Sequence, residues 1–220
     1  MINVFARTVW SGLVCLVLMA ACGPEEKEKP SIETTALDRE AENLIRRAAD
    51  KTIGDFTGDL GLAMKVSIRE GGAATAIDMC GQFAASMASA HSPDGWYIQR
   101  VSDRNRNVNN FADSLQHEIL TRFGSDRSLE FIGRWDSTGP HRLFCYYRPV
   151  YVTDMCLDCH GLESRLASGI VEALEQSYPD DRAIGYNVGD LRGMFVVEVE
   201  WPRGQKHARD LIDDIAADEH

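Results

Sequence analysis

Cys156, Cys159 and His160 stand together as a C-x-x-C-H in the run Cys156-Leu157-Asp158-Cys159-His160. Two thiols at that spacing can form thioethers with the two vinyl groups of one haem, and a histidine directly after the second thiol then lies beneath the iron as an axial ligand. The motif therefore predicts one covalent haem c, attached through Cys156 and Cys159, with His160 as the proximal iron ligand. The same spacing also serves thioredoxin-like redox pairs and half of a zinc site. A redox pair usually opens a helix of a βαβ unit, and a zinc site needs a second ligand pair, such as another C-x-x-C or an H-x-x-x-H. The chain has neither of those second pairs.

Haem attachment of this kind requires export, and the N-terminus carries the signal for it. Arg7 precedes an apolar run from Val9 to Ala21, broken only by Ser11 and Gly12 and ending in Leu18-Met19-Ala20-Ala21-Cys22-Gly23. That pattern predicts a lipoprotein signal peptide over residues 1–21, cut before Cys22, whose thiol then takes the lipid. A cut after a small-x-small pattern would instead release a soluble, secreted product. Residues 22–34 read as a tether: Gly23 to Pro30 holds three Glu, two Lys and two Pro and no large apolar residue, too little to support a core. The expected location is the periplasmic side of a bacterial membrane, held there by the acyl chains on Cys22.

Residues 35–220 are then long enough for one domain with its own core. Only Arg7 is charged in residues 1–21, so removing them takes the formal charge from −11 to −12. That balance argues against nucleic acid and against electrostatic adhesion to anionic lipid. Cys15 leaves with the signal, which leaves Cys80 and Cys145 without a role. In an oxidising compartment a disulfide between them is the ordinary reading.

The elements that must position the motif follow from periodicity. Apolar residues from Leu37 to Phe56 recur at helical spacing, and the helix is expected to run from Thr35 to about Arg69, with Gly54, Gly58 and Gly61 weakening its later part. A second helix is expected from Ala73 to Ala90, between Gly71-Gly72 and Ser92-Pro93-Asp94-Gly95. Strands are expected at Trp96 to Ser102, Leu129 to Trp135, His141 to Val152 and Gly193 to Trp201, and helices at Ala112 to Phe123, Glu163 to Tyr178 and Gln205 to Ala217. The sum is α+β, helices packed on an antiparallel sheet.

Four segments carry a family resemblance: Ala76-Ile77-Asp78-Met79-Cys80; Arg104-Asn105-Arg106-Asn107-Val108-Asn109-Asn110; Tyr147-Arg148-Pro149-Val150 leading into Cys156-Leu157-Asp158-Cys159-His160-Gly161; and Tyr178-Pro179-Asp180-Asp181-Arg182-Ala183-Ile184-Gly185 with Gly189-Asp190-Leu191-Arg192-Gly193. On these the chain resembles the periplasmic c-type haem domains of PAS-like fold, found alone and as the sensor part of bacterial histidine kinases. It departs from that family at Val108, where proline is usual, and at Leu115-Gln116, where Trp-Glu is usual. The resemblance implies a PAS-like antiparallel sheet with long N-terminal helices packed around the haem. It also implies that Cys80 ligates the iron opposite His160. Helical spacing puts Ile77, Cys80, Ala84 and Met87 on one face, with small residues beside them, which is compatible with a flat macrocycle and equally with a buried structural cysteine. Met79, Met87, Met155, Met194, His91, His117 and His141 are the competing ligands. Arg104 and Arg106 are candidate partners of the haem propionates, since guanidinium forks match carboxylates, although the stretch also reads as a solvated loop.

Thiolate ligation favours ferric iron and so lowers the potential. The expectation is therefore a membrane-anchored monohaem cytochrome that senses redox state or a diatomic gas, or carries electrons at low potential, through an unidentified redox or signalling protein. A small haem enzyme such as a peroxidase, or a haem-free structural lipoprotein, are the alternatives. No distal acid-base pair is identifiable for the enzyme.

Overall fold

The computed structural model describes residues 36–218, apart from the side chains of residues 80–85 and 218. Helix α1 (Ala36–Ala90) opens the domain, and its backbone leaves helical geometry at Gly72 (φ 82°, ψ 179°), so that it consists of two limbs, residues 36–71 and 73–90. That conformation is open essentially to glycine alone. The two expected helices are thus present, meeting at one residue. Gly54, Gly58 and Gly61 do not break the first limb, because Phe56 and Leu60 between them are buried in the core and tertiary packing outweighs their low helix propensity.

Four strands, β1 (Trp96–Val101), β2 (Ile132–Asp136), β3 (Arg142–Tyr151) and β4 (Leu191–Trp201), form one antiparallel sheet in the order β1-β4-β3-β2. Strand alternation divides their side chains between two faces. Phe144, Tyr146, Phe195, Val197 and Val199 meet Ile45, Ile53, Phe56 and Leu60 of α1. Cys145, Tyr147, Met194 and Val196 meet Ile119, Leu120 and Phe123 of α2 (Ser114–Ser125) on the other side. Each such large side chain taken from water contributes about 1.5–3 kcal/mol, so these two layers are what fixes the sheet between the helices. Helix α2 starts at a capping box: Gln116 N–H donates to Asp113 Oδ1 (2.8 Å) and Asp113 N–H to Gln116 Oε1 (3.0 Å). Gln116, one of the departures from the family pattern, thereby supplies the helix start.

The chain after β3 winds through the short α3 (Leu157–His160) and α4 (Ile170–Ser177) before returning as β4, and α5 (Gln205–Asp218) closes the domain against α1. The expected continuous helix from Glu163 to Tyr178 is instead two pieces, a 3-10 turn at Glu163–Arg165 and α4. Gly169 separates them with φ 80°, ψ −5°, the left-handed region that suits glycine and ends a helix, and a Cβ added there would touch Ala74 of α1 at 3.6 Å. The expected strand from Leu129 starts late, at Ile132, because Asp126 first holds a turn through Ser128 N–H (2.9 Å). The domain is α+β with a PAS-like antiparallel sheet and a long N-terminal helix. No described helix is long and apolar enough to cross a membrane. The signal peptide, the tether and Cys22 lie outside the described residues.

Candidate functional site

Strand β3 delivers the chain to the C-x-x-C-H, and two bonds with the residues just before β4 fix the exit: Val152 N–H to Asp190 O (2.9 Å) and Gly189 N–H to Val152 O (2.8 Å). Cys156 ends a 3-10 turn, Asp154–Cys156, with its Sγ 3.3 Å from the Thr153 hydroxyl. Cys159 and His160 follow one turn later in α3, so the two cysteines and the histidine come onto one short helical stretch. No disulfide joins Cys156, Cys159 or Cys145. Behind α3 the segment around Ala183 acts as a strap, with Gly185 N–H donating to Gly161 O (2.7 Å) and Tyr186 N–H to His160 O (3.0 Å).

The imidazole of His160 lies 2.7 Å from the Ala183 carbonyl through Nδ1. A carbonyl only accepts, so Nδ1 carries the proton and Nε2 keeps its lone pair for a metal. Burial, then the charges of Arg192 and Arg106, push the His160 pKa down to about 3 against the opposing pull of the Ala183 bond. The ring is neutral at physiological pH, the form that ligates iron.

Cys156, Cys159 and His160 border one cleft of about 340 Å³ between α1 and the sheet. That size is within the usual range for a bound cofactor. Leu60, Gly61, Met64, Ala76 and Ile77 line it from α1, and Val150, Met194 and Phe195 from the strands. Nothing lies within 4 Å of a Cβ built on Gly61, which leaves that wall of the cleft open. Two thiols, an imidazole with a free Nε2 and apolar walls on the same cavity are the donor set and the surroundings that a C-x-x-C-H haem requires.

The arginines divide. Arg106 borders the cleft, where its guanidinium pairs with Asp181 (3.1 Å) and donates to Cys159 O (2.7 Å). Arg104 is not among the lining residues; its side chain turns to the carbonyls of Arg182 and Ile184 and stacks 4.0 Å from the Tyr186 ring centroid. Two further cations that sequence reasoning did not single out, Arg100 and Arg192, line the cleft beside Arg106. Their alternation on strands gave no signal of which face they take. Asn105, also in the lining, is buried with its Oδ1 lacking any partner.

Cys80 falls on α1 one turn beyond Ala76 and Ile77, but its side chain, and with it the expected ligand role, lies outside the described residues. Among the competing ligands, His91, His117 and His141 border no part of the cleft and face Asp59, Asp103 and Glu200 instead. Met79 and Met87 are likewise elsewhere, whereas Met155 and Met194 are in the lining, joined by Met64, which sequence reasoning missed. Cys145 projects to the α2 face of the sheet while the first limb of α1 covers the opposite face, so the strand layer stands between Cys145 and Ile45, Ile53 and Phe56. The thiol of Cys145 is free, and the Cys80 half of the disulfide reading lies outside the described side chains.

All four segments of the family resemblance therefore converge: Ala76 and Ile77, Asn105 and Arg106, the C-x-x-C-H, and Arg192 line one cavity, and Asp181 and Ala183 hold Arg106 and His160 from behind. The fold is similar to that of a solved structure, the cyanobacterial heme-protein Tll0287, with a TM-score of 0.53 and 25% sequence identity over 74% of this chain and 97% of that one. Among functionally curated proteins none is recognisably similar in sequence. The sequence profile of the Tll0287-like family matches residues 26–200, and the chain belongs to that family.

Proposed function

We propose that this chain is a monohaem c-type cytochrome, exported and lipid-anchored through Cys22, that works without catalytic turnover in redox or diatomic gas sensing or in low-potential electron transfer. The observation that carries the haem reading is the bond from His160 Nδ1 to Ala183 O (2.7 Å), with Cys156 and Cys159 on the same cleft. A backbone carbonyl behind a ligating histidine fixes its tautomer and makes it a better ligand. The similarity to a cyanobacterial heme-protein supports the same reading. A bound haem supplies one-electron redox chemistry and an iron position for a diatomic ligand.

In this reading Cys156 and Cys159 would hold the haem covalently, His160 Nε2 would ligate its iron, and Cys80 would offer a second, thiolate ligand. Among the described residues lining the cleft, His160 is the sole imidazole and there is no carboxylate. The output passes to a redox or signalling protein.

Mass spectrometry of the denatured mature protein, made in cells competent for cytochrome c maturation, is expected to give the polypeptide plus one haem. Electron paramagnetic resonance of the ferric form is expected to show a low-spin thiolate signature that is lost in Cys80→Ala and kept in Cys145→Ala. A haem-free mass rejects the haem reading. An unchanged spectrum in Cys80→Ala rejects only the thiolate.

A further inference from the structure

Arg192 occupies an irregular place in the sheet. Along the β3·β4 ladder Val150 pairs with Gly193 and Tyr151 with Leu191, so Arg192 is the extra residue of a β-bulge. A bulge leaves one residue outside the ladder and re-aims its side chain, and such features recur beside binding sites. Here the carbonyl that the ladder leaves unpaired is taken up by the Ser102 hydroxyl, 2.7 Å from Arg192 O. The bulge is thus held by Ser102, the residue after β1, and its side chain lines the cleft.

The guanidinium of Arg192 donates to Arg104 O (3.1 Å) and sits 5.5 Å from the Tyr186 ring centroid; among the described residues no carboxylate forms an ion pair with it, and Asp181 acts on it only through its charge. Arg100 and Arg106 line the same cavity, whose described lining contains no acid; Asp181 pairs with Arg106 from outside it. Crowding cations into a partly dry cavity costs free energy that an anion among them offsets.

We propose that the bulged Arg192, with Arg106 and Arg100 beside it, is the carboxylate cradle of the cleft, and that it receives the haem propionates. This rests on the haem reading above. Guanidinium forks match carboxylates bidentately, and the covalent anchors at Cys156 and Cys159 fix which edge of the macrocycle remains to be held. Arg192 is a positioning residue: it keeps the propionates ionised and sets the charge around the iron without touching it. Burial and the neighbouring Arg106 and Arg100 charges lower its own pKa, which an anion in the cradle reverses.

The test is infrared difference spectroscopy of the full protein carrying haem labelled with carbon-13 at the propionate carboxyls, in mildly acidic buffer. Wild type is expected to show ionised propionates in both redox states, at frequencies shifted from those of free carboxylates. Arg192→Gln is expected to move the labelled bands and bring up a protonated carboxyl, Arg192→Lys to keep ionisation with altered frequencies, and Arg209→Gln, on the exposed face of α5, to match wild type. Labelled bands in Arg192→Gln identical to wild type overturn the proposal. Should Arg192→Gln fail to fold, wild-type bands at the frequency of solvated propionates, titrating with the buffer, overturn it equally. Inorganic phosphate added to wild type is expected to leave the bands unchanged; a shift means that a solution anion occupies the cradle and the proposal fails. A polypeptide without labelled haem in its mass instead rejects the haem reading and is distinguished at that step.

Discussion

The thiol of Cys145 is buried and the imidazole of His160 half-buried, and their surroundings give them opposite work. His160 has a carbonyl on one nitrogen and a cavity on the other, so its neutral form is ready to ligate. Cys145 sits among Ile119, Leu120, Phe123 and Met194 with no access to the cleft, and burial, helped by the Glu198 charge, pushes its pKa up from the ordinary 9.0 to about 11. A neutral, enclosed thiol is a poor nucleophile. Alkylation of the native protein at neutral pH is therefore expected to leave Cys145 unmodified until denaturant opens the domain, as read by peptide mass spectrometry. The sign of its pH effect follows from linkage: the folded chain holds this proton more tightly, so the contribution to stability is intact below pH 9.0 and is lost as pH rises towards about 11. Denaturant unfolding across that window is expected to show a steeper fall in the parent protein than in Cys145→Ala.

Helix α1 is the element that joins the core to the site. Its first limb buries Ile45, Ile53 and Phe56 on the sheet, and its second carries Ala76 and Ile77 to the cleft, so the direction change at Gly72 decides where residues 73–90 lie relative to His160. Gly72→Ala places a Cβ in a backbone region that L residues avoid, at a cost of about 1–3 kcal/mol. Gly58, in the middle of the first limb with nothing within 4 Å of a built Cβ, has no such requirement. Gly58→Ala is expected to stabilise the protein by about 0.5–1 kcal/mol by restricting the unfolded chain. Thermal unfolding of the two variants is expected to move in opposite directions, and only Gly72→Ala is expected to perturb the haem spectrum.

At the scale of the whole molecule, the strands bring distant stretches of chain to one place. Pairing of β1 with β4 sets Arg100 against Phe195, and the strap at Ala183 meets His160 across 23 residues. A chain with a formal charge of −11 has little electrostatic attraction for an anionic bilayer, so the proposed anchoring rests on the lipid at Cys22. Cys22→Ala is expected to move the protein from the membrane to the soluble fraction or to block processing, as read by fractionation and N-terminal sequencing; unchanged retention with normal cleavage rejects lipidation at Cys22.

The elements and the C-x-x-C-H motif were legible in the sequence because both are local. Helical and alternating periodicity report burial of a face within a few residues, which is why the four strands and both limbs of α1 were expected near their observed positions. The C-x-x-C-H is legible for the same reason, since three groups on five residues define a site before any folding. Gly169 lies inside an apolar helical pattern, and its left-handed backbone, which divides the expected helix, leaves no trace in hydrophobic spacing. The remaining decisions belong to the tertiary structure. Which carbonyl meets His160, which of the arginines line the cleft, and whether Cys145 looks toward α1 or α2 all depend on strand register and on one bulge. A shift of one residue in register exchanges the faces of every side chain on a strand, and composition and spacing are the same either way.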